Sequence, residues 1–207
     1  MAYLEPVDYP NYGLPDGTTT DWITAASALI NSFCRRPDLN VTQYIERLRL
    51  TNGSQSVRLT YFPLAAMAAA VSPIVSIEGR YARPRRGEIA GNELFDIAQA
   101  FSLAGQWTQI DPASVDFDAA SGELTLPGNI LGLAYNEVSV TYTAGLAVVG
   151  DDVKSACAQI VRNAQATPAL NASRTRIDTM QMQYFSSSLL DETVQQWLRP
   201  YVANRLG

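Results

Sequence analysis

The 207-residue chain carries 15 lysines and arginines against 20 aspartates and glutamates, a net charge of −5, and no histidine. That charge excludes a strongly basic nucleic-acid binder, which needs a concentrated positive surface. The missing histidine removes the commonest general base and metal ligand, and 47% apolar content excludes a disordered polar chain.

Residues 1–19 are rich in Pro, Tyr, Gly and Asp and predict an extended N-terminal arm. They contain neither a basic nor an apolar signal-peptide region. Thr20 or Asp21 opens a helix whose stripe is Trp22, Ala26, Leu29, Ile30 and Phe33. Arg35 and Arg36 fall in its last turn, where positive charge suits the helix dipole, and Pro37 stops it.

From Thr42 the period changes. Tyr44, Glu46, Leu48 and Leu50 alternate with their neighbours, as do Val57, Leu59 and Tyr61. Asn52-Gly53 lies between these runs and predicts a hairpin joining them, because a tight turn needs positive φ. A further strand runs through Ile77 to Gly79, and "NELFDIAQAF" has helical spacing. "ASVDFDAASGELTLPG" predicts a second hairpin turning at Ser121-Gly122. In "NEVSVTYTAG", Val138, Val140 and Tyr142 point one way and Ser139, Thr141 and Thr143 the other, a half-buried strand ending at Gly145.

A second long helix begins at Asp151 or Asp152, with Val153, Ala156, Cys157, Ile160, Val161 and Ala164 as its stripe. Residues 166–187 read as an irregular polar segment. Arg174, Arg176, Met180, Met182, Tyr184 and Phe185 make it a candidate interaction surface. A last helix starts from Ser188 and Asp191 at capping-box spacing, presents Leu190, Val194, Trp197, Leu198 and Tyr201, and breaks at Pro200. Trp22, Leu29, Ile30, Ile160, Val161 and Trp197 are expected to share one helical core.

The order of elements predicts an α+β fold. One N-terminal and two C-terminal helices form a bundle, and a module of short antiparallel strands over about 42–145 is inserted in it. The C-terminal helices cover about 151–207, and residues 20–207 form a single domain behind the arm.

Motifs for chemistry are missing. There is no phosphate loop, dinucleotide fingerprint or nucleophile elbow. Asp116 and Asp118 share a strand face, but acidic residues beside a turn are common. Cys34 and Cys157 lack metal-type spacing and read as buried free thiols. No catalytic residue, cofactor or metal ligand is assigned, and no apolar run reaches the roughly 18 residues a membrane span requires. The sharpest charge feature is "GRYARPRRGE", with Arg80, Arg83, Arg85 and Arg86 as candidate contacts to a partner or to DNA.

Three stretches, in order, carry a resemblance: "TDWITAASALINSFCRR" with "YIERLRL", "VSVTYTAG" with "DDVKSACAQIV", and "LLDETVQQWLRPYVANRL". The set is similar to the head–tail connector (adaptor, head-completion) proteins of tailed bacteriophages and prophages. It departs from the simplest members in the long N-terminal arm and the insert around residues 80–110.

The resemblance implies a non-enzymatic virion neck protein, assembled in the bacterial host cytoplasm. It implies a homo-oligomeric ring of about twelve subunits under the portal. Portal, stopper or tail-completion proteins are its implied partners, with DNA passing through the channel unread. It also places the chain end, with Tyr201, Asn204, Arg205 and Leu206, toward the portal. The alternative is a non-enzymatic interaction or DNA-associated module that forms no ring.

Overall fold

A computed structural model describes residues 2–50, 54–68, 71–83, 92–128, 134–166, 174–177, 180–183 and 189–203. In chain order the elements are α1 (Thr20–Cys34), β1 (Thr42–Arg49), β2 (Ser56–Arg58), β3 (Ile74–Arg80), α2 (Asn92–Ala100), β4 (Thr108–Ile110), β5 (Asp116–Asp118), β6 (Glu123–Thr125), β7 (Glu137–Ala144), α3 (Asp151–Ala166), β8 (Arg174–Ile177), β9 (Met180–Gln183) and α4 (Glu192–Leu198). The fold is mixed α+β. Where one domain is predicted behind an arm, the chain forms two compact units: residues 1–39 with 148–203, and residues 40–147.

In the first unit α1, α3 and α4 pack against one another. α1 buries Ile23, Ala26, Ser27, Ile30 and Cys34. This stripe is rotated from the predicted one: Trp22 is 42% exposed, and Leu29 and Phe33 are half-buried. Small side chains explain the rotation. Ser27 Oγ lies 3.9 Å from Cys157 Sγ on α3, an approach that an indole between the helices would prevent. Ile160 and Val161 are buried as expected, but Trp197 is 37% exposed and leaves Val194 and Leu198 to face the core.

The helix ends differ from the sequence reading as well. α1 stops at Cys34. Arg35 takes a left-handed conformation (φ 55°), and Arg36, which is buried, donates its N–H to Asn31 O at 3.0 Å. α4 is capped by Asp191, whose carboxylate accepts the Val194 N–H at 2.8 Å; a cap at Asp191 starts the helix one turn after Ser188. Pro200 does break it, inside a 3-10 turn over Arg199–Tyr201.

The predicted arm is a packed segment of this unit. Pro6–Asp8 and Pro10–Tyr12 form 3-10 turns, and Tyr3 and Leu4 are buried. The Tyr3 hydroxyl donates to the Asn31 side chain and accepts the Leu39 N–H at 2.9 Å. Lys154 pairs with Asp8 at 3.1 Å, and Tyr12 donates to Asp151 at 2.6 Å. Burying one aromatic ring outweighs the turn-rich composition that reads as a loose arm. In place of the predicted irregular segment, β8 and β9 form an antiparallel hairpin, for which the period-two patterns Arg-Thr-Arg-Ile and Met-Gln-Met-Gln are suited. Tyr184 and Phe185 lie outside the described residues.

The second unit holds a four-stranded antiparallel sheet, order β1-β7-β3-β4, and a three-stranded one, order β2-β6-β5. The predicted β5–β6 hairpin is present, with Gly122 at φ 70° in its turn. The hairpin predicted around Asn52-Gly53 is not: those two residues are outside the described set, and the strands flanking them join different sheets. β1 pairs with β7 along its whole length, from Thr42↔Ala144 to Arg49↔Glu137, while β2 pairs with β6. The eight-residue β1 gains more ladder bonds from β7 than the three-residue β2 offers.

β7 is the central strand. Val138, Val140 and Tyr142 are fully buried and share one core with Val57, Val115 and Leu124 of the three-stranded side. Thr143, on the other face, is also buried and donates to Ala65 O at 2.6 Å. Gly145 has a φ of 138°, a conformation that side-chain-bearing residues resist, and its N–H donates to Pro63 O at 2.9 Å.

Candidate interaction surface

Strand alternation puts every second residue of the four-stranded sheet on its outer face. The registers bring Arg49, Glu137 and Arg80 into one row across β1, β7 and β3, with Arg47, Ser139, Glu78 and Gln109 in the next. Glu137 is buried among these polar side chains, only 4% exposed. Arg47 reaches it with Nε at 2.8 Å from Oε1 and Nη2 at 3.4 Å from Oε2, and Arg80 Nε donates to Oε2 at 2.6 Å. One carboxylate thus accepts from two guanidinium groups. That arrangement offsets the cost of burying its charge.

Trp107, just before β4, completes the cluster. The guanidinium of Arg80 sits 4.5 Å and that of Arg47 5.1 Å from its ring centroid, both within cation–π range. The Trp ring lies close to both guanidinium groups while Glu137 neutralises one of the two charges. Half of the Arg47 side chain remains exposed, at 52%, against 22% for Arg80. Ile45, on the same face of β1, is 72% exposed, and Val75, at the β3 bulge, 51%. The surface combines cation, aromatic and apolar contact, the mixture that binding interfaces favour.

The predicted arginine segment enters this surface at one end. Arg80 is a paired member of the cluster, not a free contact in a loop. Arg83 is exposed, and its carbonyl accepts from Arg49 Nη2 at 3.3 Å. Asn136 fastens the backbone between them, donating to Ala82 O at 2.9 Å and accepting the Ala82 N–H at 2.7 Å. Arg85 and Arg86 lie outside the described residues. Sequence reading missed Arg47, Trp107 and Glu137. The alternation in "YIERLRL" places Arg47 and Arg49 on the polar face of β1, but nothing local shows that Glu137 stands opposite them.

The other predicted contact group is not in this unit. Tyr201 is half-buried in the helical unit, where its hydroxyl donates to Asp152 and is pushed up to about 12 by burial and by that carboxylate. Ala203 N–H donates to Cys34 O at 2.9 Å. The chain therefore remains tied to the helices past Pro200, through Tyr201 and Ala203. Asn204, Arg205 and Leu206 lie outside the described residues. Cys34 and Cys157 are buried free thiols, both pushed up to about 11 by burial, so they are poor nucleophiles. Among the described residues no group of three or more Cys, Asp or Glu side chains is arranged to hold a metal, and no helix is long and apolar enough to cross a membrane.

No protein-family model matches the chain, and a search of curated proteins found no match.

Proposed function

We propose that the chain is a non-enzymatic subunit of the neck of a tailed-phage virion, of the head–tail connector type. In this reading the three helices of the first unit are a bundle and the strand unit is its inserted module. About twelve copies form a ring beneath the portal, extend the DNA channel, and offer a platform to stopper or tail proteins. DNA passes through without sequence-specific contact.

One observation carries the reading. The stretches on which the resemblance rests are α1 with β1, β7 with α3, and α4, and within each unit the fold brings their elements together. β1 and β7 pair along their full length, and α1, α3 and α4 pack together. The separated segments of similar sequence thus supply the paired long strands of one unit and the packed helices of the other. The open Arg–Trp surface supports a role in assembly, because nothing within the strand unit's described residues covers Ile45.

The test is native mass spectrometry with electron microscopy of the purified chain, alone and mixed with portal protein. A closed ring of about twelve copies, or capture on portal rings, is the expected result. A chain that stays monomeric and binds no portal overturns the reading in favour of a module that forms no ring. Asn204, Arg205 and Leu206 are the proposed portal contacts: deleting residues 204–207 is expected to leave the melt unchanged and abolish portal capture.

A further inference from the structure

The strand unit has two outer faces of opposite charge. The inner faces of its two sheets supply one core, so their outer faces look away from each other. On the four-stranded side, the strand residues Arg47, Arg49 and Arg80 stand against Glu78 and Glu137, a formal charge of +1. On the three-stranded side, Asp116, Asp118 and Glu123 stand against Arg58, a formal charge of −2.

The acidic face holds like charges side by side. Asp118 and Glu123 are direct cross-strand partners, a placement that is unfavourable in isolation. The one cation opposite, Arg58, turns its Nε to Ser121 O at 3.0 Å and its guanidinium over Phe62 at 5.3 Å. Asp116, Asp118 and Glu123 are all exposed. Ile45 on the opposite, basic face is 72% exposed and offers an apolar contact beside the arginines.

From these two faces we infer that neighbouring copies meet head to tail, the acidic β5–β6 face of one seated on the Arg47–Trp107 face of the next. Two different, complementary faces on opposite sides of a protomer make a heterologous contact, which closes into a ring when each step adds a rotation. A twofold dimer is disfavoured, since it sets each face against its own charge. The inference rests on the ring reading for its stoichiometry, but the contact itself is separately testable.

Ile45→Cys and Asp116→Cys probe it without touching a hydrogen bond of the cluster; the native thiols are buried. A short bismaleimide is added to each variant and to the chain carrying both. The expected result is a ladder of covalent oligomers from the double variant, with each single variant left as monomer. The ladder should fade several-fold when salt is raised from about 0.05 M to about 1 M, as charges across an exposed interface are screened. No ladder, dimers from either single variant, or a ladder indifferent to salt overturns the contact. A ring by mass spectrometry without the ladder overturns this contact alone, while the ladder with neither a closed ring nor portal capture overturns the ring reading and keeps the contact.

Discussion

The two units use polar side chains in opposite ways. In the helical unit, hydroxyls and carboxylates link distant parts of the chain: Tyr3 to Asn31, Tyr12 to Asp151, and Tyr201 to Asp152. Each link ties a terminal segment to a helix, so polar groups close the unit on itself. In the strand unit, Arg47, Arg80, Trp107 and Glu137 form a cluster on an outer face and leave cation and ring partly exposed. The comparison shows that a hydrogen-bonded network can serve either to fasten a chain or to hold a surface ready. Exposure distinguishes the two: Leu198 of α4 is fully buried, while Ile45, on the same face of β1 as Arg47, is 72% exposed.

The comparison breaks most sharply in the cores. Ile30, fully buried in α1, should cost about 2–5 kcal/mol when changed to alanine, through lost burial and the cavity left behind. A urea melt reads the loss. A cost near zero would mean that the helices do not close around it.

Glu137→Ala should cost less, about 1–3 kcal/mol, because it strands two guanidinium groups of which Arg47 still reaches water. The same variant should lower the fluorescence similarity of Trp107 to the native state, as the ring loses its ordered cations. An unchanged melt would show that the carboxylate does not organise the surface.

Tyr201→Phe should cost about 0.5–1.5 kcal/mol at neutral pH, the worth of one hydrogen bond. Its pH signature is specific. Tyr201 rises from an ordinary 10.0 to about 12, and Cys34 and Cys157 from 9.0 to about 11. The folded unit holds these protons more tightly than the unfolded chain does. Their contribution is therefore complete below pH 9 and falls as pH climbs toward 12. Denaturant melts across that range should show the decline in the wild type and a shallower decline above pH 10 in Tyr201→Phe. The smallest effect belongs to the surface: Ile45→Ser should move the melt by less than about 0.5 kcal/mol, since most of its side chain is already in water.

Local periodicity made much of this protein readable from its sequence. The stripe of α3, the alternation of β7, the β5–β6 hairpin and the break at Pro200 all follow from residues within a few positions of one another. Gly145 could be read as a turn for the same reason. Partners were another matter. The flanks of Asn52-Gly53 look like one hairpin, yet each strand pairs elsewhere, because β7 offers β1 a longer ladder. Arg47 and Arg80 meet Glu137 across 90 and 57 residues, a distance over which no spacing rule acts. Gly79 reads as a strand terminus, but a Cβ there would lie 2.6 Å from the Tyr135 ring, so its smallness is a packing requirement. Tyr3 looks like part of a loose arm until Asn31 and Leu39 are folded around it. The sequence by itself determined most of the helices and strands, β8 and β9 apart, since those preferences depend largely on neighbours along the chain. Only the tertiary structure decided which faces meet and which remain open, since register and burial depend on residues that come together in space.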